Sequence, residues 1–168
     1  MDKLTKEDRS WNMSRIRAKN TKPEMLVRRL LHRAGFRFRI HNRKLPGNPD
    51  IVLPRFRTVI FVHGCYWHRH PGCREATIPR TNQDYWLPKF ERTVQRDREA
   101  QQELLAHGWK VILLWECEIE RANSDEMVAM LTEEIGRRGG LPAEQATGDR
   151  DLLAAEDGTK YEYGTNVH

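Results

Sequence analysis

"TVIFVHGC", Thr58 to Cys65, decides how the chain is put together. Val59, Ile60, Phe61 and Val62 are apolar in succession, without the alternation of a half-exposed strand. Such a run is buried on both faces. A second run of this kind is Val111-Ile-Leu-Leu-Trp115. Between them, Asn82 to His107 predicts a long helix from about Tyr85, closed by Gly108. Strand, crossover helix and strand imply a parallel pair with a right-handed crossover. Both strands should then finish at one edge of the sheet. Cys65 lies three residues past Val62, and Cys117 two past Trp115, so two cysteines far apart in sequence should meet.

Outward from this unit the pattern stays mixed. Thr21-Lys-Pro-Glu24 is a capping-box pattern with proline in the first turn. It predicts a helix to about Arg33 that buries Met25, Leu26, the Arg29 stem, Leu30 and Leu31, with Gly35 ending it. Phe36, Phe38 and Ile40 alternate with Arg37, Arg39 and His41, a period-two strand. "LPGNPD" is a turn, and Asp50 to Leu53 a short apolar strand. Residues 65–80 read as irregular, and Ser124 caps a last helix to about Arg138. The order is helix, three strands, helix, strand, helix, an α/β chain. Residues 1–20 form a basic N-terminal arm, residues 21–138 the folded domain, and residues 139–168 a tail without periodicity, for which disorder is the expectation.

The 168 residues suffice for one domain with a core. No apolar run is long enough to span a bilayer, and no secretory segment opens the chain, so a cytoplasmic protein is expected. Charge is uneven: residues 1–60 carry 16 Lys and Arg against 5 Asp and Glu, whereas residues 121–168 carry 5 against 10. A basic N-terminal third suits a polyanion, above all nucleic acid, although a solvated basic face would look the same.

Three cysteines make a disulfide framework improbable in a reducing compartment. Cys65, His70, Cys73 and Cys117 instead supply three thiolates and one imidazole, the donor set of tetrahedral zinc. Four protein ligands close such a site, so its role would be structural, stapling the 65–80 loop to the last strand. His68 or His63 could stand in for His70. Asp50 follows Pro49 at a strand start, near the edge that carries His63 and His68. It could hold Mg²⁺ through oxygen, or merely cap a turn.

At these residues the chain resembles the very-short-patch repair (Vsr) DNA mismatch endonucleases. The matching stretches are "RSWNMSRIRAKNTKPE" (9–24), "LPGNPDIV" (45–52), "VIFVHGCYWHRHPGC" (59–73), "TNQDYWLPKFERTVQRD" (81–97) and "LLAHGWKVILLWECEI" (104–119). The resemblance implies a restriction-endonuclease-like (PD-(D/E)XK-type) mixed sheet flanked by helices, with a zinc-stapled loop. It implies Mg²⁺ on Asp50 and on the main-chain carbonyl of Val62. The second acid and lysine of the wider motif are absent, with Phe61-Val62-His63 in their place. His63 matches a phosphate-contacting histidine, and His68 the catalytic histidine held by an acid matching Asp97. Glu24 matches an acid reached through water, while its local reading is the capping-box Glu. Cys65, His70, Cys73 and Cys117 match structural zinc ligands. Tyr66, Trp67 and Trp86 match aromatics that wedge into DNA.

The implied activity is Mg²⁺-dependent nicking of duplex DNA 5′ to the thymine of a T·G mismatch, the lesion left by deaminated 5-methylcytosine. The implied partners are a MutL-type repair factor and a DNA polymerase, with the enzyme itself a monomer. Three other readings compete: a restriction- or homing-type nuclease cutting matched DNA, an inactive zinc-stapled DNA-binding module, and a catalytic zinc protein. Four available zinc ligands argue against the last of these.

Overall fold

The computed structural model describes Trp11 and residues 19–136. The C-terminal tail, the end of the last predicted helix (Arg137 and Arg138) and most of the basic arm lie outside these residues. In chain order the elements are α1 (Lys22–Arg33), β1 (Arg39–Ile40), β2 (Ile51–Leu53), a 3-10 turn (Pro54–Phe56) and β3 (Thr58–His63). They continue as α2 (Cys65–His68), α3 (Gln83–Ala106), β4 (Lys110–Trp115), α4 (Glu116–Arg121) and α5 (Ser124–Gly136).

The four strands form one mixed sheet in the order β1-β2-β3-β4. The pairs β1–β2 and β2–β3 are antiparallel, and β3–β4 is parallel. Phe56 and Arg57, the latter at φ 45°, turn β2 into β3. Helices cover both faces. On one side α1, α4 and α5 pack Val27, Leu31, Ile119 and Leu131 onto Ile51, Ile60 and Leu114. On the other, Leu104 of α3 and Trp109 pack onto Val52, Val59 and Phe61. This double cover is why the β3 run is unbroken in hydrophobicity.

The register sets Val62 opposite Leu114 and His63 opposite Trp115, so β3 and β4 end level. The sheet edge inferred from the crossover therefore exists. The LPGNPD turn presses on α3 from the same end. A Cβ on Gly47, at φ +72°, would lie 2.8 Å from the Ala100 side chain, so only glycine fits that backbone.

Four local expectations need correction. Leu30 and Leu31 of α1 are buried as expected, but with them go Glu24, Val27 and Arg28, while Arg29 is exposed and Met25 and Leu26 are only half-buried. Positions spaced i, i+3, i+4 and i+7 share a helix face, and that face is rotated one residue from the expected one. The first strand shrinks to Arg39–Ile40, which pair with Val52 and Ile51 of β2. Phe36 instead packs edge-on to Phe56 at 5.4 Å. The irregular 65–80 segment opens with one helical turn, with His68 N–H donating to the Gly64 carbonyl at 3.1 Å. Arg69 at φ 57° ends that turn and donates to the carbonyls of Thr77 and Ala76, which pins the loop. The short helix α4 has no strong start signal in the sequence, yet it carries Cys117 and Ile119 inward.

Candidate active site and metal centre

The level ends of β3 and β4 deliver two clusters. In the first, the Sγ atoms of Cys65, Cys73 and Cys117 and a ring nitrogen of His70 all lie within 4.8 Å of one another. Cys73 and Cys117 Sγ are 3.7 Å apart, and His70 Nδ1 lies 3.6 Å from Cys65 Sγ and 3.3 Å from Cys117 Sγ. Bonds of ~2.3 Å to sulfur and ~2.05 Å to nitrogen give tetrahedral edges of about 3.8 Å and 3.6 Å. The four donors thus already sit near the corners of one tetrahedron, and the set fits a metal ion. His70 is the histidine that joins; His63 and His68 belong elsewhere. Its ring stacks on Trp115 at 4.2 Å and 8°, and its Nε2 lies 3.9 Å from Glu118 Oε1. An outer carboxylate of this kind orients a ligating imidazole.

The second cluster lines a cleft of about 920 Å³ that contains Glu24, Asp50, Val62, His63, His68 and Asp97. Asp50 stands just before β2 and accepts the Val62 N–H at 2.7 Å. Burial pushes its carboxyl up to about 6, against the pull of that hydrogen bond. His68 Nδ1 lies 2.5 Å from Asp97 Oδ2. Burial alone would raise Asp97, but the bond to His68 and that ring's charge outweigh it and hold the carboxyl below its ordinary range. His63, 5% exposed, stacks on His68 with ring centroids 3.8 Å apart. Burial, seconded by His68, pushes His63 down to about 4, so this ring is neutral at pH 7. Asp97 lies near both rings, but its short contact is to His68.

Glu24 belongs to the helix cap and also borders the cleft. Its backbone N–H reaches the Thr21 hydroxyl at 3.5 Å, and its Oε1 accepts from that hydroxyl at 2.9 Å, so it belongs to the helix cap. It also lines the cleft with Asp50. Among the described residues, Asp50 belongs to no cluster of three side-chain donors. A hard cation there would depend on main-chain oxygen and retained water, which suits Mg²⁺.

The aromatics gather beside the cleft. Tyr66 has ring neighbours Trp67 at 5.0 Å, Phe90 at 5.2 Å and Trp86 at 6.4 Å. Lys89 Nζ sits 5.2 to 5.5 Å from the rings of Trp86, Trp67 and Tyr85. Trp67 faces the cleft, and Tyr85, next to Trp86, is 51% exposed. Lys19, Arg43 and Arg96 add positive charge to the cleft wall.

Residues 1–74 match the family model for the DNA mismatch endonuclease Vsr. A type II nicking enzyme of Xanthomonas oryzae pv. oryzae is 50% identical over 70% of this chain and 86% of its own length. A type II nicking enzyme of Neisseria meningitidis is 43% identical over 80% of this chain and 96% of its own. The DNA mismatch endonuclease Vsr of Escherichia coli is 37% identical over 80% of this chain and 87% of its own. The chain belongs to the Vsr family. It is a DNA endonuclease of that family, with a mixed α/β sheet between helices, and its substrate is DNA. No helix among the described residues of this Vsr endonuclease is long and apolar enough to cross a membrane.

Three side chains of this Vsr site were not singled out from the sequence. Arg28 is buried and bonded to Glu24, a contact that its i+4 spacing could have suggested. Asn20 precedes the cap and bonds to Arg28. Trp115 lies between His70 and His63 and carries no sequence signal beyond being a strand-end aromatic.

Proposed function

We propose that this Vsr endonuclease nicks one strand of duplex DNA 5′ to the thymine of a T·G mismatch and so starts very short patch repair. One observation carries the reading: Asp50, His63 and the His68–Asp97 pair converge in a single cleft beside an aromatic cluster. The architecture is read as restriction-endonuclease-like, with residues 21–138 as the catalytic domain and residues 1–20 and 139–168 as appendages.

Asp50 and the Val62 main-chain carbonyl are the proposed Mg²⁺ ligands, and bound Mg²⁺ neutralises phosphoryl charge and makes water more acidic. His68, with Nδ1 held by Asp97, presents Nε2 for the proton of the attacking water. His63, kept neutral, donates a hydrogen bond to the phosphate without adding a second charge beside His68. Glu24 acts through water. Zinc on Cys65, His70, Cys73 and Cys117 holds the loop that carries Tyr66, Trp67 and His68. Tyr66, Trp67 and Trp86 wedge beside the mismatch. A mismatched pair is cheaper to open than a matched one, so a rigid wedge turns weak pairing into selectivity. The nick would pass to a MutL-type factor and a polymerase.

A nicking assay on otherwise identical duplexes with T·G or T·A at one position, with and without Mg²⁺, tests this. Cleavage confined to the T·G duplex and to one strand is expected. Equal cutting of the matched duplex on both strands would favour the restriction- or homing-type reading. No cutting under any condition would leave a binding module.

A further inference from the structure

A buried guanidinium stands behind Glu24. Arg28, 2% exposed, lies one turn further along α1. Its Nη2 donates to Glu24 Oε2 at 2.8 Å and its Nη1 to Asn20 Oδ1 at 2.6 Å. Glu24 Oε2 also accepts the Asn20 backbone N–H at 3.0 Å. His41 Nε2 closes the group, 3.3 Å from Asn20 Oδ1. Arg28 Nε is buried and has no partner among the described residues.

This is a costly way to hold a helix. A buried ion pair contributes little net stability, since apolar residues of the same volume often do as well. An orphaned buried N–H adds a further penalty. The helix start does not need Arg28 either, because Thr21 already caps it. Nor can Arg28 serve as a phosphate contact, since almost none of it reaches the surface. What the pair does achieve is geometric. Glu24 and Asp50 line the same cleft and repel each other, and Arg28 gives Glu24 a fixed counter-charge beside its bonds from Thr21 and Asn20. We propose that Arg28 is a positioning residue for strand cleavage, holding the Glu24 carboxylate in one orientation on the cleft wall so that Glu24 and Asp50 present their oxygens together. This rests on the part proposed above for Glu24.

The test uses Glu24→Gln, Arg28→Met, Arg28→Lys and the double variant Glu24→Gln/Arg28→Met. Three readouts are single-turnover nicking of a T·G duplex, affinity for that duplex without Mg²⁺, and thermal midpoint. Arg28→Met is expected to slow nicking by about 30-fold with duplex affinity within about threefold, as for lost orientation rather than lost binding. Arg28→Lys should recover part of the rate. The double variant should nick no more slowly than Glu24→Gln alone, because both changes remove one unit. It should also melt above Arg28→Met, which leaves a buried carboxylate unpaired. If Arg28→Met does not fold, the double variant against Glu24→Gln still decides. Additive rate losses in the double variant, or a loss seen in affinity and not in rate, would overturn the role of Arg28. Wild-type nicking by Glu24→Gln would instead remove Glu24 from the reaction. Loss in Glu24→Gln beside wild-type nicking by Arg28→Met would sink Arg28 alone.

Discussion

Asp97→Asn is the sharpest probe of the catalytic reading, because it keeps shape and removes one charge. In the wild type the carboxylate sits 2.5 Å from His68 Nδ1. With charge centres ~4 Å apart and an effective dielectric of ~20, the attraction to an imidazolium is about 4 kcal/mol. The two side chains are 24% and 16% exposed, so solvent screens part of this. Taking half leaves about 2 kcal/mol, a rate factor of ~30 at 1.36 kcal/mol per decade. A second loss is directional. An amide can turn its NH₂ toward Nδ1, which then accepts and leaves the hydrogen on Nε2, the nitrogen meant to take the proton. Together the two effects predict a fall of roughly 10² to 10³ in the nicking step, within the span of general acid–base catalysis. The assay is single-turnover nicking of an end-labelled T·G duplex at saturating enzyme, with anisotropy for binding. A rate within threefold of wild type would show that the short contact only tethers the loop, and the acid–base reading of His68 would fall.

Other perturbations separate the remaining roles. Cys117→Ser should reduce zinc from one per chain and lower the thermal midpoint by many degrees, because structural zinc binding is coupled to folding; wild-type protein without zinc by metal analysis would end the idea. Asp50→Ala should abolish nicking while leaving T·G duplex binding measurable, since phosphate contacts elsewhere supply most affinity; residual Mg²⁺-dependent nicking would clear Asp50. Burial holds the Asp50 carboxyl up at about 6, so protons compete with a cation below that pH. The Mg²⁺ concentration for half-maximal nicking should therefore rise as pH falls from 7 to 5, and a flat requirement over that range argues against Asp50 as ligand. Trp67→Ala should reduce the T·G preference by about tenfold, from a stacking contribution of ~1–3 kcal/mol, with circular dichroism and zinc content near wild type; unfolding or zinc loss would make Trp67 a packing residue.

Much of this was readable along the chain, and the reason is local. Unbroken apolarity in β3 records burial on both faces, wherever the neighbours come from; the equally apolar β4 is an outer strand in which only Ile112 and Leu114 are buried, so there the same signal overstated the cover. The capping pattern at Thr21 and Glu24 records a helix start within four residues. The spacing of Cys65, His70 and Cys73 around a turn records a shared donor set, and the crossover argument brought Cys117 to it. Where the reading slipped, the missing information was non-local. Arg28 rather than Arg29 is buried because the roll of α1 is set by the sheet and α5 beneath it. The first strand is short although β2 has Leu53 to spare, and Phe36 packs on Phe56 instead. Helix α4 forms at the edge that Cys117 and Ile119 cover, not from propensity.

The sequence by itself thus determined the layering of the molecule, the edge where its chemistry gathers and the residue types gathered there. Which partner each histidine faces is set by the tertiary structure alone. His63, His68 and His70 are near neighbours in the chain and chemically identical. The β3–β4 register places Trp115 so that His70 stacks on it among the thiols. The α2 turn swings His68 over His63 and toward Asp97 on α3. An imidazole takes its role from what faces each ring nitrogen, and those partners come from elements distant in sequence.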